Sequence, residues 1–293
     1  MMLDIELDQV TVKYGDFEAV KGITCKLAEG KIYGLLGRNG AGKTTLLSLL
    51  ASFHEPTFGS VKIGGKTPFE NANIMQNVAF VYDVDYSMET EKVEKLMAIT
   101  ERYRPHFDRE YANQLIKNFK LPVERPLKDL SKGMQSAFNV TVGLASRSPV
   151  TIFDEAYLGM DAPTREIFYK ELLEDQARHP RTIILSTHLV SEMDYLFEEV
   201  LMINKGSLML HDEYERLLSK GASITGKDTE VDEFTTGMEK LSEQTLGSTK
   251  SVMIYGEMSE KQRNEAKRRG LEVGPVSLQD LFIRLTSEED DHE

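Results

Sequence analysis

Apolar and polar residues alternate along residues 3–14, LDIELDQVTVKY, at the start of the chain. This period of two predicts strands that expose one face to water. Residues 31–37, KIYGLLG, form instead a short apolar run that ends in glycine, and the helix-favouring stretch AGKTTLLSLLA follows at 41–51. A strand, a glycine loop and a helix in succession predict the βα unit of a parallel sheet.

The middle of the chain continues this alternation of predicted strands and helices. The buried-strand candidates VTIFD (150–154) and TIILSTH (182–188) enclose the helical stretch 163–179, so we expect an α/β core with a mainly parallel sheet. Residues 88–147 carry helical patterns without strands, which predicts a helical subdomain inserted into that core. We therefore expect a core domain over 1–220.

The pattern changes near residue 221. Short alternating and helical stretches follow, which predict a small C-terminal α+β appendage over 221–293. Its last six residues, EEDDHE, are expected to form a solvated acidic tail.

Composition narrows the class of protein. The chain has 293 residues, 40% of them hydrophobic and 28% charged, and no apolar run approaches the length of a membrane span. The acidic N-terminus lacks the basic and apolar regions of a signal peptide, and the single Cys25 cannot form an internal disulfide. These features predict a cytoplasmic protein. The net charge of −13 argues against a general nucleic-acid binder, which needs Lys and Arg to neutralise phosphates.

A phosphate-binding loop is the strongest local signal. Residues 37–44, GRNGAGKT, fit G-x-x-x-x-G-K-[ST] between a predicted strand and a predicted helix. Its glycines let backbone N–H groups approach phosphate oxygens, Lys43 should reach the β- and γ-phosphates, and the Thr44 hydroxyl should be a ligand of Mg²⁺. The expected nucleotide contacts are Gly37, Arg38, Asn39, Gly40, Ala41, Gly42, Lys43, Thr44 and Thr45.

Polar residues end both later core strands. Asp154 and Glu155 follow VTIFD, at the sheet edge where ligands of α/β proteins bind, and His188 ends TIILSTH. We expect Asp154 to hold Mg²⁺, Glu155 to polarise the attacking water, and His188 to contact the γ-phosphate or that water. The alternatives are a solvated strand end for the two carboxylates and a structural or surface role for His188.

A second anion-binding signal lies about ninety residues after the loop, in LSKGMQ (130–135). Ser131 and Gly133 open an apolar helix, whose positive dipole end favours an anion by about 0.3–1 kcal/mol when exposed. That is too weak to bind ATP alone but sufficient to sense a γ-phosphate already bound elsewhere. The alternative is a purely structural N-cap at Ser131.

Taken in order, these motifs resemble those of the ATP-binding cassette (ABC) ATPase family over residues 1–220. GRNGAGKTT is similar to Walker A, LSKGM to the signature motif, VTIFDEA to Walker B, STH to the switch histidine, and LGMDA (158–162) to the D-loop. The resemblance implies a P-loop NTPase fold that binds ATP with Mg²⁺ and hydrolyses ATP.

The resemblance also implies a head-to-tail dimer. The signature residues Ser131 and Gly133 of one subunit would then cap the ATP in the Walker A loop of another, with Asp161 in the key D-loop position. Tyr14 stands where the family stacks an aromatic ring on adenine, although a strand-packing role for Tyr14 is the alternative.

Two departures from the family pattern concern its signature and Q-loop motifs. Lys132 and Met134 replace Gly and Gln in the signature. In the Q-loop, Asp83 stands at the end of VAFVYD (78–83), after a predicted strand, where the family has a glutamine. We expect Asp83 to contact Mg²⁺ as a charged ligand, with Asp85 as the alternative occupant of the slot.

The signature and the C-terminal SLQDLFIRLT (277–286) are similar to those of ABC-2-type bacterial exporter ATPases, and most of all to Gram-positive ones from operons with a GntR-type regulator. This implies a cytosolic motor, peripheral on the inner face of the plasma membrane, that docks onto separate ABC-2-type permease subunits. Its cargo would be antimicrobial peptides or other envelope-active amphiphiles. The second ATPase subunit would be identical or a paralogue.

Two other classes of function stay open on the sequence. A soluble cassette ATPase acting on ribosomes or DNA is disfavoured by the single cassette, the acidic charge and the lack of sustained heptads. A non-hydrolysing regulatory cassette is disfavoured by the presence of both Glu155 and His188.

Overall fold

The computed structural model describes residues 3–287, so the predicted acidic tail at 288–293 lies outside the described residues. The chain forms two compact units. One extends to His188 and takes in Tyr195–His211; the other contains Leu189–Asp194 and the chain from Asp212 onward. The continuous part of the second unit thus begins at Asp212, nine residues before the expected boundary at 221, and Asp212 forms an ion pair with Lys220 at 2.5 Å.

Two sheets make up the first unit. The strands are β1 (Ile5–Tyr14), β2 (Phe17–Leu27), β3 (Ile32–Leu36), β4 (Phe58–Ile63), β5 (Val78–Val81), β6 (Val150–Asp154), β7 (Thr182–Thr187), β8 (Glu199–Asn204) and β9 (Ser207–Glu213). The alternating N-terminal stretch becomes an antiparallel sheet of order β2-β1-β4, with one face buried as its period of two predicts.

The larger sheet has the order β5-β6-β7-β3-β8-β9, and its first five strands pair in parallel. This confirms the predicted α/β core with a mainly parallel sheet. Asp154 pairs with Ser186, and Leu36 pairs with Thr187, so β6, β7 and β3 end at nearly the same level. The residues that follow these three strands therefore share one edge of the sheet.

Helices of the first unit are α1 (Lys43–Leu50), α2 (Ala72–Met75), α3 (Val93–Tyr103), α4 (Arg109–Asn118), α5 (Lys132–Ala145) and α6 (Ala162–Arg178). The fully described stretch 88–147 contains α3, α4 and α5 and no strand. Within residues 3–287, no helix is both long enough and apolar enough to cross a bilayer.

The core of the first unit lies around the parallel sheet. All residues of β3, β6 and β7 are buried, which explains why their sequences are mainly apolar instead of alternating. Helix α1 contributes four buried leucines to this core, Leu46, Leu47, Leu49 and Leu50. Because β3 and α1 are both anchored in the core, the loop between them is held at the sheet edge.

The second unit contains α7 (Val190–Met193), α8 (Tyr214–Ser219), β10 (Gly221–Lys227), α9 (Asp228–Phe234), β11 (Glu239–Leu246), β12 (Thr249–Tyr255), α10 (Glu260–Arg268), β13 (Glu272–Gly274) and α11 (Leu278–Ser287). From β10 to β13 the element order is βαββαβ, and the antiparallel sheet has the order β11-β12-β10-β13. This is the ferredoxin-like arrangement. Ile224, Val252 and Ile254 are buried in its core.

Candidate functional site

The phosphate-binding loop joins β3 to α1 and depends on two glycines. Gly40 and Gly42 have φ values of 82° and 99°, in the left-handed region that favours glycine. A Cβ on Gly42 would also lie 2.4 Å from the carbonyl oxygen of Ala19. Backbone shape and close packing therefore both require glycine at position 42, directly before the first residue of α1.

Lys43 is buried at the start of α1 and turns back over the loop. Its Nζ donates to the carbonyl oxygens of Gly37 at 2.7 Å and Arg38 at 3.3 Å. The same Nζ lies 3.4 Å from Oε1 of Glu155. The ammonium group is thus held between its own loop and the carboxylate that follows β6.

The other predicted loop contacts differ in exposure. Arg38 and Asn39 are exposed, Ala41 is buried, and Thr45 is half-buried. Ala41 N–H donates to the carbonyl oxygen of Arg38 at 3.0 Å, which closes the loop as a turn.

Thr44 and Asp154 place two side-chain oxygen atoms next to each other. The Thr44 hydroxyl donates to Oδ2 of Asp154 at 2.6 Å, and the side chain of Asp154 is buried. Its other oxygen, Oδ1, is buried without a hydrogen-bond partner among the described residues. A buried carboxylate oxygen without a partner costs free energy unless a cation or donor meets it.

This oxygen pair fits Mg²⁺. The ion prefers oxygen ligands and is bound by one or two carboxylates together with substrate phosphates. No group of three or more His, Cys, Asp or Glu side chains suited to a metal occurs among residues 3–287. A hydroxyl and a single carboxylate therefore fit a metal that arrives with nucleotide phosphates.

Glu155 and His188 meet at the same edge, after β6 and β7. Oε1 of Glu155 lies 3.1 Å from Nδ1 of His188. Because a carboxylate accepts, Nδ1 of His188 is the donor in this contact. Glu155 has a φ of 48°, a strained value for a non-glycine residue, of the kind found at functional sites.

The signature residues have structural partners within their own chain. Ser131 is the N-cap of α5, and its Oγ accepts from the N–H of Met134 at 3.3 Å. A Cβ on Gly133 would lie 2.6 Å from the carbonyl oxygen of Gly159, so the helix start packs directly on the D-loop backbone. Ser131 therefore caps α5, and the helix start that it caps is exposed.

Asp161 caps the next helix in the same way. Its carboxylate accepts from the N–H of Thr164 at 3.0 Å, at the N-terminus of α6. Hydrogen bonds from Thr164 lower the pKa of Asp161 below its usual value. Asp161 is therefore a carboxylate whose orientation is set by the helix it caps.

Tyr14 ends β1 as an exposed side chain, 55% accessible, as a stacking platform requires. Its hydroxyl lies 3.3 Å from Nε2 of His54, and the Ser48 hydroxyl lies 2.8 Å from the same nitrogen. The sequence reasoning missed His54 and Ser48. No motif marks them, and only the fold brings residue 54 to the end of β1.

The partner of the Asp83 carboxylate is a lysine and not one of the expected metal ligands. The carboxylate forms an ion pair with Lys132, and no hydrogen bond or ion pair joins it to Thr44 or Asp154. Asp85, the alternative occupant, accepts instead from the N–H of Ser87 at 2.9 Å. The sequence analysis also missed Lys132 as the partner of Asp83. The opposite charges of these two residues, which both depart from the family motifs, were the signal that could have revealed the pair.

Sequence comparison relates this chain to ATP-binding proteins of transporters. Residues 20–158 match the sequence model of the family described as ABC transporter. The ABC transporter ATP-binding protein YtrB of Bacillus subtilis is 26% identical over 284 residues, which cover 95% of this chain and 97% of YtrB. Nod factor export ATP-binding protein I of Burkholderia pseudomallei is 28% identical over 299 residues, 97% of either chain.

Solved structures share the fold. A structure of the ATP-binding subunit of an ABC transporter superposes with a TM-score of 0.65 at 20% identity and covers 73% of this chain and 91% of that chain. A dimeric ATP-binding cassette in a post-hydrolysis state, bound to ADP and Pi, gives a TM-score of 0.61 at 19% identity, over 72% and 98% of the two chains.

Proposed function

We propose that ATP is hydrolysed at the edge of the parallel sheet. This proposal starts from the family: the chain belongs to the ATP-binding cassette family, and it is an ATPase and the ATP-binding subunit of a transporter. The observation that carries this proposal is the position of Glu155, whose Oε1 lies 3.4 Å from Lys43 Nζ and 3.1 Å from His188 Nδ1. A cation for phosphate, a carboxylate for water and an orienting imidazole are thereby brought together.

Each side chain of the site has a defined part in this mechanism. Lys43 exchanges its carbonyl partners in the loop for phosphate oxygens, since a charged acceptor makes the stronger hydrogen bond. Glu155 accepts a proton from the attacking water, and His188 holds that carboxylate in place and contacts the γ-phosphate. Thr44 and Asp154 would hold Mg²⁺, which supplies charge neutralisation of the phosphates when bound.

The remaining nucleotide contacts complete the proposal. Tyr14 stacks on adenine, and the backbone N–H groups of the loop bind the phosphates. Ser131, Gly133 and Asp161 act in trans, across a dimer of cassettes in which each subunit completes the other's site. The exposed start of α5 supports this arrangement, since a helix N-terminus attracts an anion.

The proposal extends to the transported substrate. ATP-binding subunits of this family dimerise and work with membrane permeases. We infer an ABC-2-type permease and export of antimicrobial peptides or other amphiphiles, from a peripheral position on the inner face of the plasma membrane. The relative named for Nod factor export supports the direction of transport. In this arrangement, the first unit is the nucleotide-binding domain and the second an accessory domain.

Substitution of Glu155 by Gln tests the hydrolytic site. Loss of a general base lowers a rate by about 100- to 10,000-fold, so we expect phosphate release by Glu155→Gln to fall at least 100-fold. ATP binding, measured by calorimetry, should stay within a few-fold. The control is Glu174→Gln, an exposed carboxylate on α6, which should leave the rate unchanged. Equal rates in wild type and Glu155→Gln would refute the proposal and favour a regulatory cassette.

Light scattering tests the dimer. Glu155→Gln with ATP and Mg²⁺ should convert from monomer to dimer, and adding Ser131→Ala should weaken that dimer. A protein that stays monomeric with nucleotide would refute the trans arrangement. Purification from native membranes tests the permease: recovery without any integral membrane subunit would count against an exporter.

A further inference from the structure

The two departures from the family motifs, Asp83 and Lys132, meet in the folded chain although 49 residues separate them. We propose that Lys132 is a positioning residue for ATP hydrolysis, which ties the segment after β5 to the start of α5 through its ion pair with Asp83. The inference rests on the proposed function and adds to it a device that a glycine at position 132 could not provide.

Lys132 connects three parts of the first unit. It is the first residue of α5, next to the capping Ser131. A Cβ on Gly159 would lie 2.9 Å from Cγ of Lys132, so the aliphatic part of the side chain covers the D-loop glycine. Its Nζ then reaches the carboxylate of Asp83 and lies 3.5 Å from the carbonyl oxygen of Val84. One side chain thereby contacts the signature, the D-loop and the segment after β5.

The segment 82–86 is also fastened to α5 further along the helix. Nδ2 of Asn139 donates to the carbonyl oxygen of Tyr82 at 3.4 Å, and the hydroxyl of Tyr86 donates to Oδ1 of Asn139 at 2.5 Å. Asn139 lies two helical turns after Lys132, so the segment is attached at two places along α5. The Asp83–Lys132 pair is the attachment next to the signature serine.

Electrostatics explains why the two departures occur together. A lysine in the first turn of a helix is unfavourable, because the positive dipole end repels its charge. The carboxylate of Asp83 neutralises that charge. Both side chains are about half exposed, 51% for Asp83 and 48% for Lys132, so the pair contributes little to global stability and is screened by salt. The ion pair instead positions the segment after β5 relative to the start of α5.

This arrangement changes the role of Asp83. Its carboxylate is engaged by Lys132 instead of contacting Thr44 or Asp154. We therefore assign Asp83 to the start of α5 and not to the metal. A change in the segment after β5 is then transmitted through Lys132 to the neighbouring Ser131 and to the D-loop glycine Gly159, and Ser131 is proposed to meet the neighbouring subunit's nucleotide.

A double-mutant cycle on ATPase activity tests the assignment. Asp83→Asn and Lys132→Met, which keeps an unbranched stem, should each lower kcat about two- to five-fold at low salt, the range of an exposed ion pair. The double variant should be no slower than either single one, and Asp83→Lys with Lys132→Asp should recover most of the rate. The difference from wild type should shrink in 1 M salt, where the Debye length is about 3 Å.

The Mg²⁺ dependence separates this role from metal binding. We expect the half-saturating Mg²⁺ concentration to be the same in wild type, Asp83→Asn and Lys132→Met. A requirement raised in Asp83→Asn but not in Lys132→Met would overturn the inference and make Asp83 a metal ligand. The matched control is Lys92→Met with Glu124→Gln, an exposed pair at 2.7 Å in the same helical stretch, which should leave kcat unchanged.

Hydrogen–deuterium exchange of the nucleotide-free protein gives a readout that does not depend on hydrolysis. Either single substitution should accelerate exchange in peptides covering 82–86 and 131–134, and the control pair should not. Unchanged exchange, or additive effects on kcat, would refute the coupling. If both substitutions accelerate exchange but the wild type hydrolyses no ATP, the proposed function is refuted and the coupling stays supported.

Discussion

Asp175 holds two arginines in the interior of the first unit, near the end of α6. Its carboxylate, 2% exposed, lies 2.7 Å from Nη1 of Arg181 and 3.1 Å from Nη2 of Arg147. The side chain of Arg181 is itself only 5% exposed. Asp108, 3.3 Å from Arg147, gives that arginine a second carboxylate, whereas the ion pair of Arg181 is with Asp175.

Replacing Asp175 by Asn keeps the shape of the side chain and removes its charge. Breaking a buried ion pair from one side costs about 3–5 kcal/mol, because it leaves the other charge buried without compensation. With a urea dependence of about 2 kcal/mol per molar, the unfolding midpoint of this unit should fall by about 1.5–2.5 M. The neighbouring Glu174→Gln, which breaks an exposed pair with Arg178, should change stability by less than about 1 kcal/mol.

Urea unfolding followed by circular dichroism measures both variants. A further variant, Asp175→Leu with Arg181→Met, replaces the pair with apolar side chains and should be more stable than Asp175→Leu alone, because no charge is left unpaired. Similar midpoints for Asp175→Asn and Glu174→Gln would refute the reasoning. So would a double variant less stable than Asp175→Leu.

Three further predictions concern other sites. Thr44→Val removes the hydroxyl that donates to Asp154 at 2.6 Å, so Mg²⁺-dependent phosphate release should fall about ten-fold or more. A smaller loss would count against Thr44 as a metal ligand. Gly133→Ala places a Cβ 2.6 Å from the Gly159 carbonyl oxygen and should cost about 1–3 kcal/mol in urea unfolding; an unchanged midpoint would contradict that packing. Burial raises the pKa of the Cys25 thiol from 9.0 to about 12, so this thiol should resist Ellman's reagent at pH 8 in the native protein. The stability from keeping that thiol neutral is present below pH 9 and is lost as the pH rises towards 12, because only the unfolded thiol ionises there; an equal alkaline decline in Cys25→Ala would refute this.

The α/β class and the phosphate loop were determined by the sequence itself, because both are local. The loop's residues are contiguous, and Gly40 and Gly42 occupy the positions that need a positive φ. The runs that became β3, β6 and β7 have mainly apolar sequences with all residues buried, which is typical of strands buried on both faces. In an α/β sheet, polar residues at the ends of such strands predict a site at one edge.

Only the tertiary structure decided which side chains meet. The β6-β7-β3 order brings Glu155 beside Lys43 and His188, and a strand order is a long-range property that no local pattern encodes. The partnership of Asp83 with Lys132 was equally hidden, because each residue is only an exposed charge in its own segment. Local chemistry thus determined the phosphate loop, whereas packing of the chain determined the partners of Glu155 and Lys132.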